Sequence, residues 1–394
     1  MRVQPEIFTN EIKILFKLLL RNGDEIRLVG GCVRNYILGK KISDYDLATK
    51  YKPQELMEIL DRSGIKYYKS GIEFGTITAV INNQKFEITS LRKDIKTDGR
   101  HAIVEFTDNY KVDAERRDFT INALYCDANG NIYDYFDGIS DLKKGIIRFI
   151  GDPEKRIVED NLRILRFFRF YSYYAYSLDY RSLEACAKYA NSVNNLSKER
   201  VAKELNKIFE AKYPLNSLQK MQDIGILQVI FGKKLTFKSL EIFYSLANMI
   251  DNFEYNYLLP IALLTFENAI EYKFLMTRQE KNFIKILEKN ILQKFDLSAL
   301  KKLLFELNNR YLVKNIVMMN MCLNYKKEYL NFVKEIDVIE IPKFHINGNM
   351  LEAHGFQNKK EYSKILADMK KMFIDSGFKL DTEEILENYK LYEQ

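Results

Sequence analysis

The chain has 394 residues, too many for one compact core, and 47% of them are hydrophobic, so several domains with apolar interiors are expected. Its formal charge of +7, from 61 Lys plus Arg against 54 Asp plus Glu, is compatible with a polyanionic partner without demanding one. Only three histidines (His101, His345, His354) and four scattered cysteines (Cys32, Cys126, Cys186, Cys322) occur, which argues against a His-built zinc centre and a disulfide framework and leaves metal chemistry to carboxylates and hard cations.

The first 23 residues, MRVQPEIFTNEIKILFKLLLRNG, read as an amphipathic helix and lack a signal peptide's cleavage region. No run of 18 apolar residues exists, so no membrane span is expected, and the thiol pattern points to a reducing cytoplasm. Residues 26 to about 140 alternate short strands and helices. Strand signals are IRLVG (26–30), YDLAT (45–49), GTITAVI (75–81), KFEITSL (85–91) and NALYCD (122–127). Asn82-Asn83-Gln84 reads as a hairpin, and residues 52–64 as a helix with Pro53 in its first turn and Gly64 at its end.

Beyond residue 140 helical patterns dominate. Gly151-Asp152-Pro153 opens a helix with Asp152 as N-cap, running to about residue 175, and Ser197 caps another. Residues 278–310 and 357–374 read as Lys-rich amphipathic helices, with a joint at Ile341-Pro342 and Asn347-Gly348-Asn349. The tyrosine cluster at 171–180 reads as core and helix-packing surface. The expected organisation is α+β: an N-terminal helix (1–25), a mixed-sheet head (26–140), and all-helical segments at 141–205, 206–335 and 336–394.

Four stretches carry chemistry. In Leu28-Val29-Gly30-Gly31-Cys32-Val33-Arg34 a strand runs into a helix. Gly30 and Gly31 let the backbone approach a bound group, free helix N–H groups suit phosphate, and Arg34 adds a fork. Alone, a tight turn explains this equally well. In Ser43-Asp44-Tyr45-Asp46, residues two apart on a strand share a face, so Asp44 and Asp46 could hold two Mg²⁺ ions. A lone DxD is more often a solvated turn; the glycines just upstream tip the balance. Glu87, in KFEITSL, either completes the cluster or faces solvent, and the pattern does not decide.

GG-x-VR followed by DxD resembles the nucleotidyltransferase head of the polymerase β superfamily, and more narrowly class II tRNA nucleotidyltransferases and bacterial poly(A) polymerases. One departure is Asn35, where that family usually has Asp. Glu115-Arg116-Arg117-Asp118-Phe119-Thr120-Ile121-Asn122-Ala123 is close to the family's RRDFTINA signature. The resemblance implies that Arg117 binds the triphosphate and Asp118 the ribose 2′-OH; a structural ion pair is the plain alternative.

In Glu159-Asp160-Asn161-Leu162-Arg163-Ile164-Leu165-Arg166-Phe167-Phe168-Arg169, Asp160, Arg163, Arg166 and Arg169 recur every three residues. On one helix they form a slanting stripe with Asp160 and Arg163 as neighbours. An exposed ion pair is the bland reading. The sharp one is a base-reading edge: Asp only accepts and Arg only donates, so cytosine and adenine satisfy the pair while guanine and uracil oppose like to like. The resemblance assigns EDxxR this role, with the further arginines contacting the nucleotide, and Leu196–Leu205 resembles a neck motif bracing that helix. Between Glu87 and Arg117, a charged loop including Arg92, Asp94, Asp98, Arg100 and His101 matches the position of the family's flexible switch from C to A. Implied, then, is template-independent addition of C, C and A from CTP and ATP to tRNA, with Mg²⁺. Poly(A) polymerase, A-only addition and a catalytically silent RNA-binding module are the alternatives.

Overall fold

The computed structural model describes residues 7–392 apart from 22, 24, 98–101, 212–213, 248, 251–253, 271–275 and 293–294. The chain divides into two units, Met1–Leu235 and Thr236–Gln394.

The first unit is built on a seven-stranded mixed sheet. Its strands are β1 (Ile26–Val29), β2 (Tyr45–Thr49), β3 (Lys66–Gly71), β4 (Thr76–Ile81), β5 (Gln84–Ser90), β8 (Leu124–Cys126) and β9 (Ile132–Asp134), in the order β3-β4-β5-β2-β1-β8-β9. Only β2 and β5 pair in parallel; Asp46 lies opposite Glu87 in that register. Asn82 and Asn83 both take positive φ (50° and 63°), which gives the two-residue hairpin the twist its flanking strands need. Leu28, Leu47, Phe86 and Ile88 bury against α1 (Asn10–Leu19) and α3 (Pro53–Arg62). Strand periodicity therefore turns Asp46, between buried Tyr45 and Leu47, to the other face.

Two parts of the head differ from the sequence reading. The edge strand β3 gives little strand signal because four of its six residues are exposed. The segment expected as a charged loop is instead a separate two-stranded sheet, β6 (Arg92–Thr97) against β7 (Ala102–Phe106). Arg92 pairs with Asp94 at 3.3 Å along β6. Asp98, Arg100 and His101 lie outside the described residues.

After α4 (Tyr110–Glu115) and α5 (Gly138–Lys144), α6 (Pro153–Glu159) begins where expected, with the Asp152 side chain accepting from Glu154 N at 3.0 Å. It does not continue to residue 175. Asp160 is extended (φ −154°, ψ 106°), and its carboxylate accepts from Leu162 N at 3.0 Å, so it caps a new helix, α7 (Leu162–Tyr174). Helices α8 (Tyr180–Lys188), α9 (Lys198–Phe209), α10 (Pro214–Asp223) and α11 (Ile226–Phe231) complete the unit. Ser197 stands at the N-cap of α9 without a side-chain cap bond. Of the tyrosine cluster, Tyr171 is buried but Tyr176 and Tyr180 are exposed.

The regular elements of the second unit, among its described residues, are all helices: α12 (Lys238–Ala247), α13 (Leu258–Asn268), α14 (Arg278–Lys289), α15 (Leu297–Leu307), α16 (Arg310–Asn324), α17 (Leu330–Glu335), α18 (Gly348–Ala353), α19 (Tyr362–Asp375) and α20 (Thr382–Tyr392). The helix expected over 278–310 is two, ended at Asn290 and restarted by the Asp296 side chain capping α15. α13 is buried on nearly every side, and buried Asn320 on α16 satisfies Leu292 N and the carbonyls of Asn290 and Ile316. Ile346, Leu351, Met369 and Leu386 form a further core near the C-terminus.

At the start of α5 the backbone of Gly138 lies against Thr120: a Cβ there would fall 2.3 Å from the Thr120 carbonyl oxygen. Gly138→Ala is therefore expected to destabilise the first unit by about 1–3 kcal/mol. The check is a lowered urea midpoint at unchanged m-value; an unchanged midpoint contradicts this packing.

Candidate active site

Asp44, immediately before β2, and Asp46, within it, both line a cavity of about 1040 Å³ that also opens on Gly30, Gly31, Arg34 and Arg117. Asp44 is exposed and accepts from Ser43 Oγ at 2.8 Å; Glu87, beside Asp46 on β5, is exposed as well. Burial, then the charges of Glu87 and Asp44, push the Asp46 carboxyl up to about 6, with Arg117 and Arg34 opposing. Like charges gathered on one sheet face are what a cation would relieve. Among the described residues no three His, Cys, Asp or Glu side chains come close enough to hold one ion between them. The donor set fits Mg²⁺ nonetheless, since that ion takes one or two carboxylates and completes its shell with water and substrate phosphate.

The rest of the cavity is basic. Nine Arg and Lys side chains line it against six carboxylates. Gly30 takes φ +72°, a conformation that favours glycine, and sits beside Arg117 and the Asn122 carbonyl. The helix behind it, α2 (Gly31–Ile37), is only seven residues long, and the anionic attraction rests on side chains more than on its end.

Arg34 is buried and is held by neutral groups. Its guanidinium donates to Asn122 Oδ1, to Tyr174 OH at 2.9 Å, and to Asn35 Oδ1 at 3.2 and 3.3 Å, and it stacks over the Tyr174 ring at 4.3 Å. Burial lowers its pKa, and among the described residues no carboxylate is paired with it. Asn35 therefore keeps the acceptor that the commoner Asp would supply and removes only the charge. Arg34 faces the cavity without an ion-pair partner among the described residues, with the charges of Asp118 and Asp46 acting on it from a distance.

Arg116 and Arg117 converge on one buried carboxylate, Asp113, at 2.7 and 3.1 Å. Tyr125 OH donates to the same carboxylate at 2.7 Å and accepts from Arg117 Nε at 3.1 Å. Although burial pushes the Asp113 carboxyl up, the two arginines hold it down at about 2. Asp118 accepts from Phe119 N and Asn122 Nδ2, each at 2.9 Å, and from Arg166 Nε and Nη2 at 2.7 and 2.5 Å. Those bonds, Arg166 first, outweigh burial and hold its carboxyl well below the usual range.

Asp160 and Arg163 both line the cavity, but they are not the helix-borne pair the spacing implied. Asp160 precedes α7 and binds Arg200 of α9 at 3.0 Å through both oxygens. Arg163 donates to Glu159 at 2.5 Å and to the Arg156 carbonyl at 2.8 Å. Arg163, Arg166 and Arg169 do share α7, and Arg169 pairs with Glu204 of α9 at 2.9 Å. The stretch 196–205 thus braces both ends of the stripe.

Asp113, Asn122, Tyr174, Arg156 and Glu204 were not picked out from the sequence. Arg156, buried, donates to the carbonyls of Arg116 and Arg117 and so fixes the backbone that carries both arginines. For Asp113 a signal was present: a carboxylate with arginines at i+3 and i+4, the carboxylate on α4 and the arginines just past its end.

Residues 26–148 match the family described as poly A polymerase head domain, and residues 175–237 the family described as probable RNA and SrmB-binding site of polymerase A. CCA tRNA nucleotidyltransferase 1, mitochondrial, from Homo sapiens is 33% identical, over 98% of this chain and 91% of that protein; the Mus musculus protein is 32% identical over the same shares. A CCA-adding enzyme of Oceanobacillus iheyensis is 38% identical over 57% of this chain and 56% of that one. The fold is shared with Bacillus stearothermophilus CCA-adding enzyme in complex with CTP (TM-score 0.75, 22% identity, 99% and 98% coverage). It is shared also with Thermotoga maritima CCA-adding enzyme complexed with tRNA (TM-score 0.69, 23% identity, 100% and 99% coverage). Matched nearly end to end by relatives a third identical to it, the chain belongs to the CCA tRNA nucleotidyltransferase family.

Proposed function

We propose that this chain adds C, C and A, from CTP and ATP, to the 3′ end of tRNA without a nucleic-acid template, releasing pyrophosphate. The observation that carries the reading is one cavity in which Asp44 and Asp46, an arginine cluster, and Asp160 with Arg163 all meet. Divalent metals are general in nucleotidyltransferases of this kind, and here Asp44 and Asp46 would hold two Mg²⁺, with Glu87 alongside. The bound ions would supply a lowered pKa for the attacking 3′-hydroxyl and charge neutralisation for pyrophosphate.

The chain's own side chains do the rest. Arg34, held by neutral side chains, and Arg117, oriented by Asp113, take the triphosphate. Asp118 offers its carboxylate to the ribose 2′-OH. Its four acceptor sites are filled, so ribose binding exchanges for one of the existing bonds. Asp160 accepts from the exocyclic amino group of cytosine or adenine, and Arg163 donates to the neighbouring ring or carbonyl acceptor. Arg200 holds Asp160 in place, and Glu159 holds Arg163. Arg166 and Arg169 complete the stripe. The helical segments 206–335 and 336–394 take the tRNA backbone through Lys and Arg.

No helix among the described residues is long and apolar enough to cross a membrane. All four cysteines are free and buried, which supports a reducing compartment such as the cytoplasm; relatives with mitochondrial in their names show that the family is not confined to it.

Asp44→Ala and Asp46→Ala are expected to lower addition to tRNA lacking its CCA end by about a thousandfold or more, with tRNA affinity retained; activity within a few fold of wild type removes the metal role. Millimolar Mg²⁺ is expected to raise the thermal midpoint by about 2–4 °C and to lose that effect in Asp46→Asn; equal shifts in both proteins place the ion elsewhere. Asp160→Ala is expected to cut discrimination against GTP and UTP about tenfold or more while preference for NTP over dNTP holds. Unchanged base choice in that variant refutes the base-edge assignment.

A further inference from the structure

A second cavity, of about 650 Å³, meets the nucleotide cavity at Asp44 and Asp46 and shares no other lining residue with it. Its walls come from β2, β3, β4 and β5: Tyr68, Ser70, Thr78, Lys85 and Glu87 join the two aspartates. The register explains why they share a face. Asp46 is the partner of Glu87, Glu87 of Thr78, and Thr78 of Tyr68, so the four form one row across the sheet. At about 4.8 Å per strand the row places Tyr68 about 14 Å from Asp46, the reach of roughly two nucleotides of an extended strand.

The two cavities differ in chemistry. The first carries nine basic side chains and suits a triphosphate. The second has no arginine; it offers one lysine, two hydroxyls hydrogen-bonded to each other at 2.6 Å, and a tyrosine ring that is 48% exposed. In an in-line displacement the nucleophile approaches the reacting phosphorus opposite the departing pyrophosphate. With the triphosphate on the arginine side of Asp44 and Asp46, the attacking hydroxyl must come from the other side. That side is walled by an aromatic face for a base, hydroxyls for a ribose 2′-OH and a single cation for a phosphodiester.

Building on the nucleotidyl-transfer reading, we propose that this cavity seats the last nucleotides of the growing RNA strand, a base stacking on Tyr68, Ser70 and Thr78 meeting the ribose, and Lys85 taking one backbone phosphate. Tyr68 stands on the edge strand with half its surface exposed, so removing its ring leaves the core intact.

The test uses the full chain and tRNA ending in CC. In steady-state ATP addition, Tyr68→Ala is expected to raise KM for tRNA about tenfold while KM for ATP stays put, and Tyr68→Phe, which keeps the ring, to bring KM for tRNA back down. In a turnover-free assay, tRNA carrying 2-aminopurine as its last base is expected to be quenched on binding wild type and Tyr68→Phe, and less so on binding Tyr68→Ala. An unchanged KM for tRNA, a rise in KM for ATP instead, or quenching indifferent to Tyr68 overturns the proposal. The readings separate: wild type that fails to extend tRNA sinks the functional reading, while the binding assay decides on the seat by itself.

Discussion

Buried positive charge is the constraint around which the first unit is organised. A guanidinium withdrawn from water without a partner costs several kcal/mol, and this cavity gathers eight of them with a lysine. The fold answers with carboxylates set behind the arginines. Asp113 restrains Arg116 and Arg117, Asp118 restrains Arg166, Glu204 restrains Arg169, and Asp160 itself is tied to Arg200. These pairs fix the donors before any nucleotide arrives, so little reorganisation remains when a phosphate enters. Arg34 is the exception. Held by two asparagines and a tyrosine, it is oriented without being neutralised, which is the state an anion-binding side chain needs.

The same pairs connect the sheet to the helices that follow it. Arg166 reaches from α7 to Asp118 at the foot of the sheet, Arg156 reaches from α6 to the carbonyls of residues 116 and 117, and Arg34 reaches from α2 to Tyr174 at the end of α7. In the proposed scheme these bonds link the residues assigned to phosphate, ribose and base. Most of these groups are held in advance, and only a local exchange of hydrogen bonds is left for binding. The exchange required at Asp118 is the clearest case, because its acceptor capacity is already used.

Much of the head was legible in the sequence because its signals are local. Period-two alternation put Asp44 and Asp46 on a common face, and Asn82-Asn83 marked its hairpin, since both features depend on neighbours in the chain. The break between α6 and α7 was not legible: the i, i+3 spacing from Asp160 to Arg169 runs on through it, and only the Asp160 side chain binding Leu162 N reveals that capping won over propagation. Nor was the role of Asn35, Asn122 and Tyr174 around Arg34, because residues 88 and 140 positions away are brought together by packing alone. The strands β6 and β7 read as loop for a related reason: Arg92 and Asp94 take the more buried positions while Ile95 and Ile103 are exposed, so the usual apolar-in, polar-out alternation is absent. The second unit gave helices and little else; its Lys-rich faces carry no local signature of what they touch.

In the proposed reaction a protein edge, and no template strand, chooses the nucleotides and stops after three. Purified protein given all four NTPs with three RNAs (tRNA ending at the discriminator base, tRNA ending in CC, and an unrelated RNA of similar length) tests it directly. Expected are C, C, A on the first, a single A on the second, and negligible extension of the third. Open-ended A tails on any of the three, or incorporation of G or U at comparable rates, would contradict it.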